Sequence, residues 1–191
     1  MINFKANLIY NDRNVTKYSS NKLSEKHPVS FVRINPTDEK DIFALQKTKD
    51  NWDKTSFAST ILMTALGMFY DGINPDDKEI FLLTEQNSDF ENLDAEKILA
   101  MGLVMARSKF SKYITYLQTK PQYMFKNRQG SFIGLKGIGS EFLNCCKKRF
   151  KDFSLILNAT KDSETFYLKN GFELINKDTR YMSYARKVLK P

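Results

Sequence analysis

The sequence predicts an α/β fold: a single domain with a mixed, mostly antiparallel sheet of about six to seven strands flanked by about four helices. The first observation is size, because 191 residues with 41% hydrophobic and 27% charged side chains are ordinary for one globular domain. The second is the element order that hydrophobic periodicity indicates, β-α-α-β-β-β-α-β-α-β-β. The third is one crossover helix between two strands, which makes those two strands parallel.

The elements before the crossover are indicated by apolar runs between turn residues. Residues 1–28, rich in Asn, Ser and Lys, are predicted as an N-terminal extension ahead of the main domain at 29–191. Helical periodicity predicts one helix over "NPTDEKDIFALQKTKDNW" and a second from about Ser56 to Tyr70. Short apolar runs predict four strands, at 29–34, 79–86, 97–108 and 112–120.

The crossover and the closing elements follow a basic loop. Three glycines at 134–139 open an amphipathic helix that runs to about Phe150, and "FSLILNAT" is the strand to which this helix crosses. A short helix is predicted at 162–170, then two closing strands at 171–176 and 180–189. In such a unit a ligand is expected beyond the carboxyl end of the first strand, at the start of the helix.

Charge and composition restrict the partners. The chain has 30 Lys and Arg against 22 Asp and Glu, a net charge of +8, which favours an anionic partner. From Ile98 to Ser140 there is no acidic residue, and this stretch suits a ligand with several phosphates. Its cations are Arg107, Lys109, Lys112, Lys120, Lys126, Arg128 and Lys136. For Lys109 and Lys112 the favoured interpretation is that they only solvate a loop.

Several classes of site are disfavoured. Cys145 and Cys146 are adjacent, so they suit neither a disulfide nor a zinc site, and we expect them in the core of a cytoplasmic protein. His27 is the only histidine and is expected in a surface loop, which argues against a Ser–His–Asp hydrolase. The most apolar stretch, "FASTILMTALGMFY", is about 14 residues and too short to span a bilayer.

The glycines point to a pyrophosphate. A helix N-terminus offers unpaired N–H groups and a partial positive charge, and glycine lets the backbone approach an oxyanion closely. Ser140 and Glu141 after Gly139 exclude a Walker loop, and Phe142 stands where a Rossmann fingerprint needs its third glycine. The alternative for Gly134, Gly137 and Gly139 is a turn followed by tight helix packing.

Two further motifs accompany this glycine turn in the sequence. Leu117-Gln118-Thr119-Lys120-Pro121 is similar to a strand ending L-x-V-x-P, and Gly134–Gly139 to the turn Q/R-x-x-G-x-G/A. "NATKDSETFYLKNGF", from Asn158 to Phe172, is similar to the late motif N-A-(S/T)…A-x-x-F-Y-x-K-x-G-F. Together the three motifs resemble those of the GCN5-related N-acetyltransferases (the GNAT superfamily). The resemblance covers 29 to the C-terminus in element order, so that 29–191 would be the GNAT-like acyltransferase domain. It is specific in motif over about 113–173.

Two departures from the family pattern stand out. Gly134 replaces the usual Gln or Arg, so a side-chain contact from that position is lost. About ten residues, 124–133, intervene between the strand motif and the glycines, where many members of the superfamily run straight on.

The resemblance implies a GNAT-like sheet whose central parallel pair splays apart, with acetyl-CoA as co-substrate and no metal. It implies transfer of an acetyl group to a primary amine of a small molecule or protein, by direct attack within a ternary complex. Tyr167 would be the general acid that protonates the departing thiolate. The implied cofactor-binding residues, for pyrophosphate and for the pantetheine arm, are Leu117, Gln118, Thr119, Gly134, Leu135, Lys136, Gly137, Ile138, Gly139, Ser140 and Asn158.

The base that deprotonates the amine is not evident, because the two central strands carry no acidic residue. A water relay to Glu85 or Asp162 would be needed. The segment from Asp71 to Glu96 has nine acids and only Lys78 as a cation. If it borders the acceptor site, a cationic amine is favoured; otherwise it is a pair of solvated loops.

Two alternatives to this function stay open. A toxin-like acetyltransferase acting on aminoacyl-tRNA would use the same chemistry, and a non-catalytic CoA-binding module would need no base. Nucleic acid is not favoured as a partner, because the aromatic residues follow strand and core patterns. A homodimer is allowed, and no membrane association is expected.

Overall fold

The computed structural model describes residues 6–18, 24–52, 57–71, 77–123 and 134–185. The helices and strands of these residues, in chain order, are β1 (Asn7–Tyr18), β2 (Ser24–Arg33), α1 (Glu39–Asn51), α2 (Ala58–Asp71), β3 (Lys78–Thr84), β4 (Ile98–Ser108), β5 (Ser111–Thr119), β6 (Gly134–Lys136), α3 (Ile138–Arg149), β7 (Ser154–Asn158), α4 (Glu164–Lys169), β8 (Glu173–Asn176) and β9 (Tyr181–Tyr184). The strands form one sheet in the order β6-β1-β2-β3-β4-β5-β7-β9-β8.

The predicted parallel pair lies inside this sheet. Among the described pairings only β5 with β7 is parallel, and α3 is the crossover between them. The pair is short: Ser111 to Tyr113 pair with Ser154 to Ile156, and no later residues of the two strands pair in the described parts. The remaining pairings are antiparallel, as predicted.

The predicted number of strands was wrong, since the described residues alone form nine strands rather than six or seven. The predicted N-terminal extension contains β1 and the start of β2, and β1 pairs with β2 on one side and β6 on the other. The β1 sequence "NLIYNDRNVTKY" buries only Val15 below a tenth of its surface, so it lacks the apolar alternation of a strand. Strand β6 has three residues, too few for any periodicity.

The sheet is buried on both faces at its centre. Phe31 and Phe81 point to the face covered by α3, where they contact Phe142 and Phe150. Val32 and Leu82, their neighbours in sequence, belong to the cluster that α1 and α2 cover. Successive residues of β2 and β3 are therefore apolar, the pattern typical of strands with helices on both sides.

Gly102 of β4 allows α3 to lie close to the sheet. A Cβ added there would be 2.6 Å from Phe142 Cζ and 3.0 Å from the backbone oxygen of Tyr116. Phe142 is fully buried, so its ring has little room to move. This contact sets the distance between α3 and strands β4 and β5. It therefore also sets the position of the glycine turn that precedes α3.

We expect Gly102→Ala to lower the free energy of unfolding by about 1–3 kcal/mol, because the added methyl overpacks the contact with Phe142. Urea unfolding followed by circular dichroism measures this loss. Phe142→Leu is the compensating change, and the double variant should be less destabilised than the sum of the two single variants. Strict additivity of the two losses would contradict this account of Gly102.

Candidate active site

A cleft opens where β5 and β7 diverge. Its volume is about 850 Å³, and it lies beyond the paired part of the two strands, next to the start of α3. This is the position where the crossover unit predicts a ligand. The residues that line the cleft are Phe57, Tyr113, Ile114, Thr115, Tyr116, Leu117, Gln118, Thr119, Leu135, Lys136, Gly137, Ile138, Gly139, Ser140, Asn158, Thr160, Asp162, Ser163, Phe166 and Tyr167.

The glycine turn forms one wall. Gly137 is the N-cap of α3 with φ +85°, a conformation that favours glycine, and it makes no side-chain cap hydrogen bond. Among the described residues, no atom beyond the chain neighbours and the backbone of α3 lies within 4 Å of a Cβ added to Gly137, so they leave space open beside this backbone. An uncapped helix N-terminus next to open space is a place where an anion can accept hydrogen bonds from backbone N–H groups.

Gly139 has a different role from Gly137. A Cβ added to Gly139 would lie 3.0 Å from Phe166 Cζ and 3.5 Å from Thr119 Cγ2. This glycine lets the start of α3 pack against α4 and β5. The two sequence-based interpretations, anion binding and tight packing, therefore apply to different glycines of the same turn.

Strand β5 forms the opposite wall. Leu117, Gln118 and Thr119 pair with β4 along one edge, and all three line the cleft. A register shift at Thr115 marks the place where β5 begins to leave β7. The hydroxyl oxygen of Thr115 is buried and has no hydrogen-bond partner among the described residues. Along 115–119, β5 thus presents an edge that no described strand covers.

Tyr167 lies on the third wall, in α4. Its ring packs against Phe166 and Phe172, with ring centroids 5.1 and 5.8 Å away. Burial raises the pKa of Tyr167 to about 12. Its hydroxyl has no hydrogen-bond partner in the part of the chain that the structure describes. A phenol in this state keeps its proton at neutral pH and can donate it to a group that arrives in the cleft.

The structure brings together the predicted binding residues except one. Every one of the residues predicted to bind the cofactor lines the cleft except Gly134, which lies in β6 and pairs with Tyr18 of β1. Of the seven cations in the stretch without acidic residues, Lys136 lines the cleft. Lys112 and Lys120 are in ion pairs with Glu79 and Glu96, and residues 126 and 128 lie outside the described residues.

The two acidic residues considered for the base, Asp162 and Glu85, lie in different places. Asp162 lines the cleft, whereas Glu85 does not and lies with its Oε1 2.6 Å from Nε2 of His27. The predicted loop location of His27 was wrong, because His27 is in β2 and only 23% of its side chain is exposed. The structure describes the side chains of the acid-rich segment over 77–96. None of these residues lines the cleft.

The two cysteines lie in the core, as predicted. Both are completely buried in α3, and burial raises the pKa of the Cys145 thiol to about 12, so it is not a thiolate at neutral pH. Within the described ranges, no three His, Cys, Asp or Glu side chains gather as metal ligands. No described helix is both long and apolar enough to cross a membrane.

Several cleft residues were not indicated by the sequence. Phe57 directly precedes α2, on the other face of the sheet, and reaches Tyr116 with a ring-centroid distance of 5.1 Å. Thr160 and Ser163 line the cleft and bond to each other ahead of α4, with Thr160 N donating to Ser163 Oγ at 2.9 Å. A Thr and a Ser before a helix are a recognisable capping signal, so this pair could have been predicted.

Solved structures are similar to this chain in fold, whereas comparisons of its sequence find no match. No protein-family model matches the sequence, and no curated protein matches it significantly. Among solved structures, an acetyltransferase from Thermus thermophilus is similar in fold, at 11% identity and a TM-score of 0.53 over 81% of this chain and 93% of that one.

Two further solved structures are similar in the same way. A GNAT-family protein from Desulfovibrio desulfuricans has 12% identity and a TM-score of 0.52 over 78% of this chain and 87% of its own. A chain of the KacTA–DNA complex has 13% identity and a TM-score of 0.50 over 83% of this chain and 94% of its own. At these identities the likeness concerns the fold.

Proposed function

The chain has the fold of the GCN5-related N-acetyltransferases, and from this premise we propose that it is an acyl-CoA-dependent N-acetyltransferase. The resemblance found in the motifs is thereby confirmed for the fold. The observation that carries the proposal is the cleft between β5 and β7, which has an uncapped helix start on one wall and a protonated tyrosine on another. The acceptor we propose is a primary amine of a small molecule or protein.

The cleft suits a long, phosphate-bearing co-substrate. The backbone from Leu135 to Ser140 would hold the pyrophosphate of acetyl-CoA, and the space beside Gly137 supports this assignment. The pantetheine arm carries amide groups, and the uncovered edge of β5 at 117–119 could bind them as an added strand. Asn158, at the end of β7, lines the facing side.

The proposed chemistry assigns separate roles to the backbone and to Tyr167. Acetyl-CoA supplies an acyl group that is already activated as a thioester. A backbone N–H of β5 would stabilise the negative charge that develops on the acyl oxygen. Tyr167 would hold a proton on its hydroxyl and donate it to the departing sulfur. The amine must lose a proton before attack, and Asp162, reached through water, is the acidic side chain that lines the cleft.

Isothermal titration of acetyl-CoA and of free CoA into the purified protein tests the proposal first. We expect 1:1 binding of both ligands, with dissociation constants well below about 1 mM, the value that corresponds to about −4 kcal/mol. An amine panel, with thiol release as the readout, then tests turnover. Absence of binding near a millimolar would overturn the acyl-CoA site, whereas binding without turnover on any amine would favour a CoA-binding module. A cytoplasmic location and a homodimer stay predictions.

A further inference from the structure

Strand β1 contacts the glycine turn on both of its sides. Before the turn, Thr16, Lys17 and Tyr18 pair with Lys136, Leu135 and Gly134 of β6. After the turn, Arg13 of the same strand reaches the first turn of α3, where its Nε lies 2.5 Å from Oε1 of Glu141. The turn proposed to bind pyrophosphate is therefore held between two contacts to one N-terminal strand.

Glu141 is placed unfavourably for a site that binds an anion. Its backbone N–H donates to the oxygen of Gly137 at 2.8 Å, so the side chain is anchored one turn from the N-cap. Only 12% of the side chain is exposed, and water therefore screens the carboxylate weakly. A negative charge here interacts favourably with the helix dipole but opposes a second anion at the same helix end.

Arg13 supplies the opposite charge. Its guanidinium is 25% exposed and donates to Glu141, and this hydrogen bond raises the pKa of Arg13. The other groups facing the carboxylate are neutral: Asn144 donates to Oε2 at 3.3 Å, and the Cys145 sulfur lies 3.9 Å from Oε1. Among the described ion pairs, Arg13 is the partner that compensates Glu141.

We propose that Arg13 is a positioning residue for the phosphate site: it neutralises Glu141, so that the N-terminus of α3 remains positive toward a bound pyrophosphate. The inference rests on the proposed function, because it assumes that CoA phosphates bind at the glycine turn. It predicts that Arg13 affects CoA affinity through Glu141 and without touching the ligand.

Titration of CoA into wild type, Arg13→Gln, Glu141→Gln and the double variant tests this coupling. Arg13→Gln leaves the carboxylate uncompensated and should weaken CoA binding about tenfold at low ionic strength, and less at about 0.5 M salt. Glu141→Gln should bind within about twofold of wild type. The double variant should bind CoA within about threefold of wild type, because it no longer carries the negative charge of Glu141. Arg13→Lys keeps the charge and should bind like wild type.

The outcomes are separable. If wild type does not bind CoA, the proposed function and this inference both fail. If wild type binds CoA and Arg13→Gln binds equally well, the inference alone is overturned. A double variant as weak as Arg13→Gln would also overturn it, because Arg13 would then act through packing and not through charge. If Arg13→Gln does not fold, the double variant provides the test. It must then fold and bind CoA within about threefold of wild type.

Discussion

Tyr167→Phe is expected to lower kcat by at least about 100-fold, the usual contribution of a general acid, while acetyl-CoA affinity stays within about twofold. The phenylalanine keeps the ring contacts with Phe166 and Phe172 and removes only the hydroxyl. Because that hydroxyl makes no hydrogen bond to another described residue, its loss should leave the melting temperature unchanged or slightly higher. Steady-state kinetics with the best amine of the panel measure kcat, and titration calorimetry measures affinity.

The pH profile adds a second readout for Tyr167. Its pKa is raised from 10.0 to about 12, so the acid form persists well above neutral pH. Tyr167 should therefore cause no loss of rate between pH 7 and about pH 10. Tyr184→Phe is the matched control, since Tyr184 packs on Phe172 and does not line the cleft. Equal rates for wild type and Tyr167→Phe would remove Tyr167 from the mechanism.

Gly137→Trp is expected to weaken acetyl-CoA binding by at least about 100-fold. The indole would fill the open space beside the N-cap of α3, where the pyrophosphate is proposed to lie. Loss of two backbone hydrogen bonds to charged oxygens, at about 1.5 kcal/mol each, is enough for this effect. Titration calorimetry with acetyl-CoA measures the change.

The backbone conformation of Gly137 requires its own control. At φ +85° any other residue is strained, so Gly137→Ala should lose about 1–2 kcal/mol of folding free energy. Gly171 has φ +77°, lies outside the cleft and has room for a Cβ, so Gly171→Ala carries similar strain. Only the substitutions at Gly137 should weaken the binding of acetyl-CoA. Unchanged affinity in Gly137→Trp would mean that the phosphates bind elsewhere.

The elements with strong apolar patterns could be predicted from sequence. The run at 97–108 and the crossover helix were predicted close to the observed β4 and α3, because β4 is a continuous apolar run and α3 buries residues at helical spacing. Strand β1 could not be predicted from the sequence, since it lies near the edge of the sheet and its pairing with β6 depends on residues far away in the chain. Local sequence does not encode such pairing.

The site was predictable to the extent that its residues belong to motifs. The glycine turn, the end of β5 and Tyr167 all follow from short patterns that fix backbone geometry, and the structure places them around one cleft. Phe57 and Arg13 belong to no motif. Phe57 reaches the cleft from the residue before α2, and Arg13 reaches its border from β1, so only the tertiary arrangement identifies them.

The pairing of β1 with β6 has a consequence for the order of folding. Thr16 and Lys136 are partners although 120 positions separate them (136 − 16 = 120). Such a non-local contact contributes to high contact order, and its loop-closure entropy is recovered only when the intervening sheet has formed. During synthesis, β1 emerges from the ribosome before β6 and has no β6 to pair with until the intervening segment has been made. The glycine turn is thus completed late, and competence to bind a phosphate at this turn reports that the N-terminal strand has reached its final place.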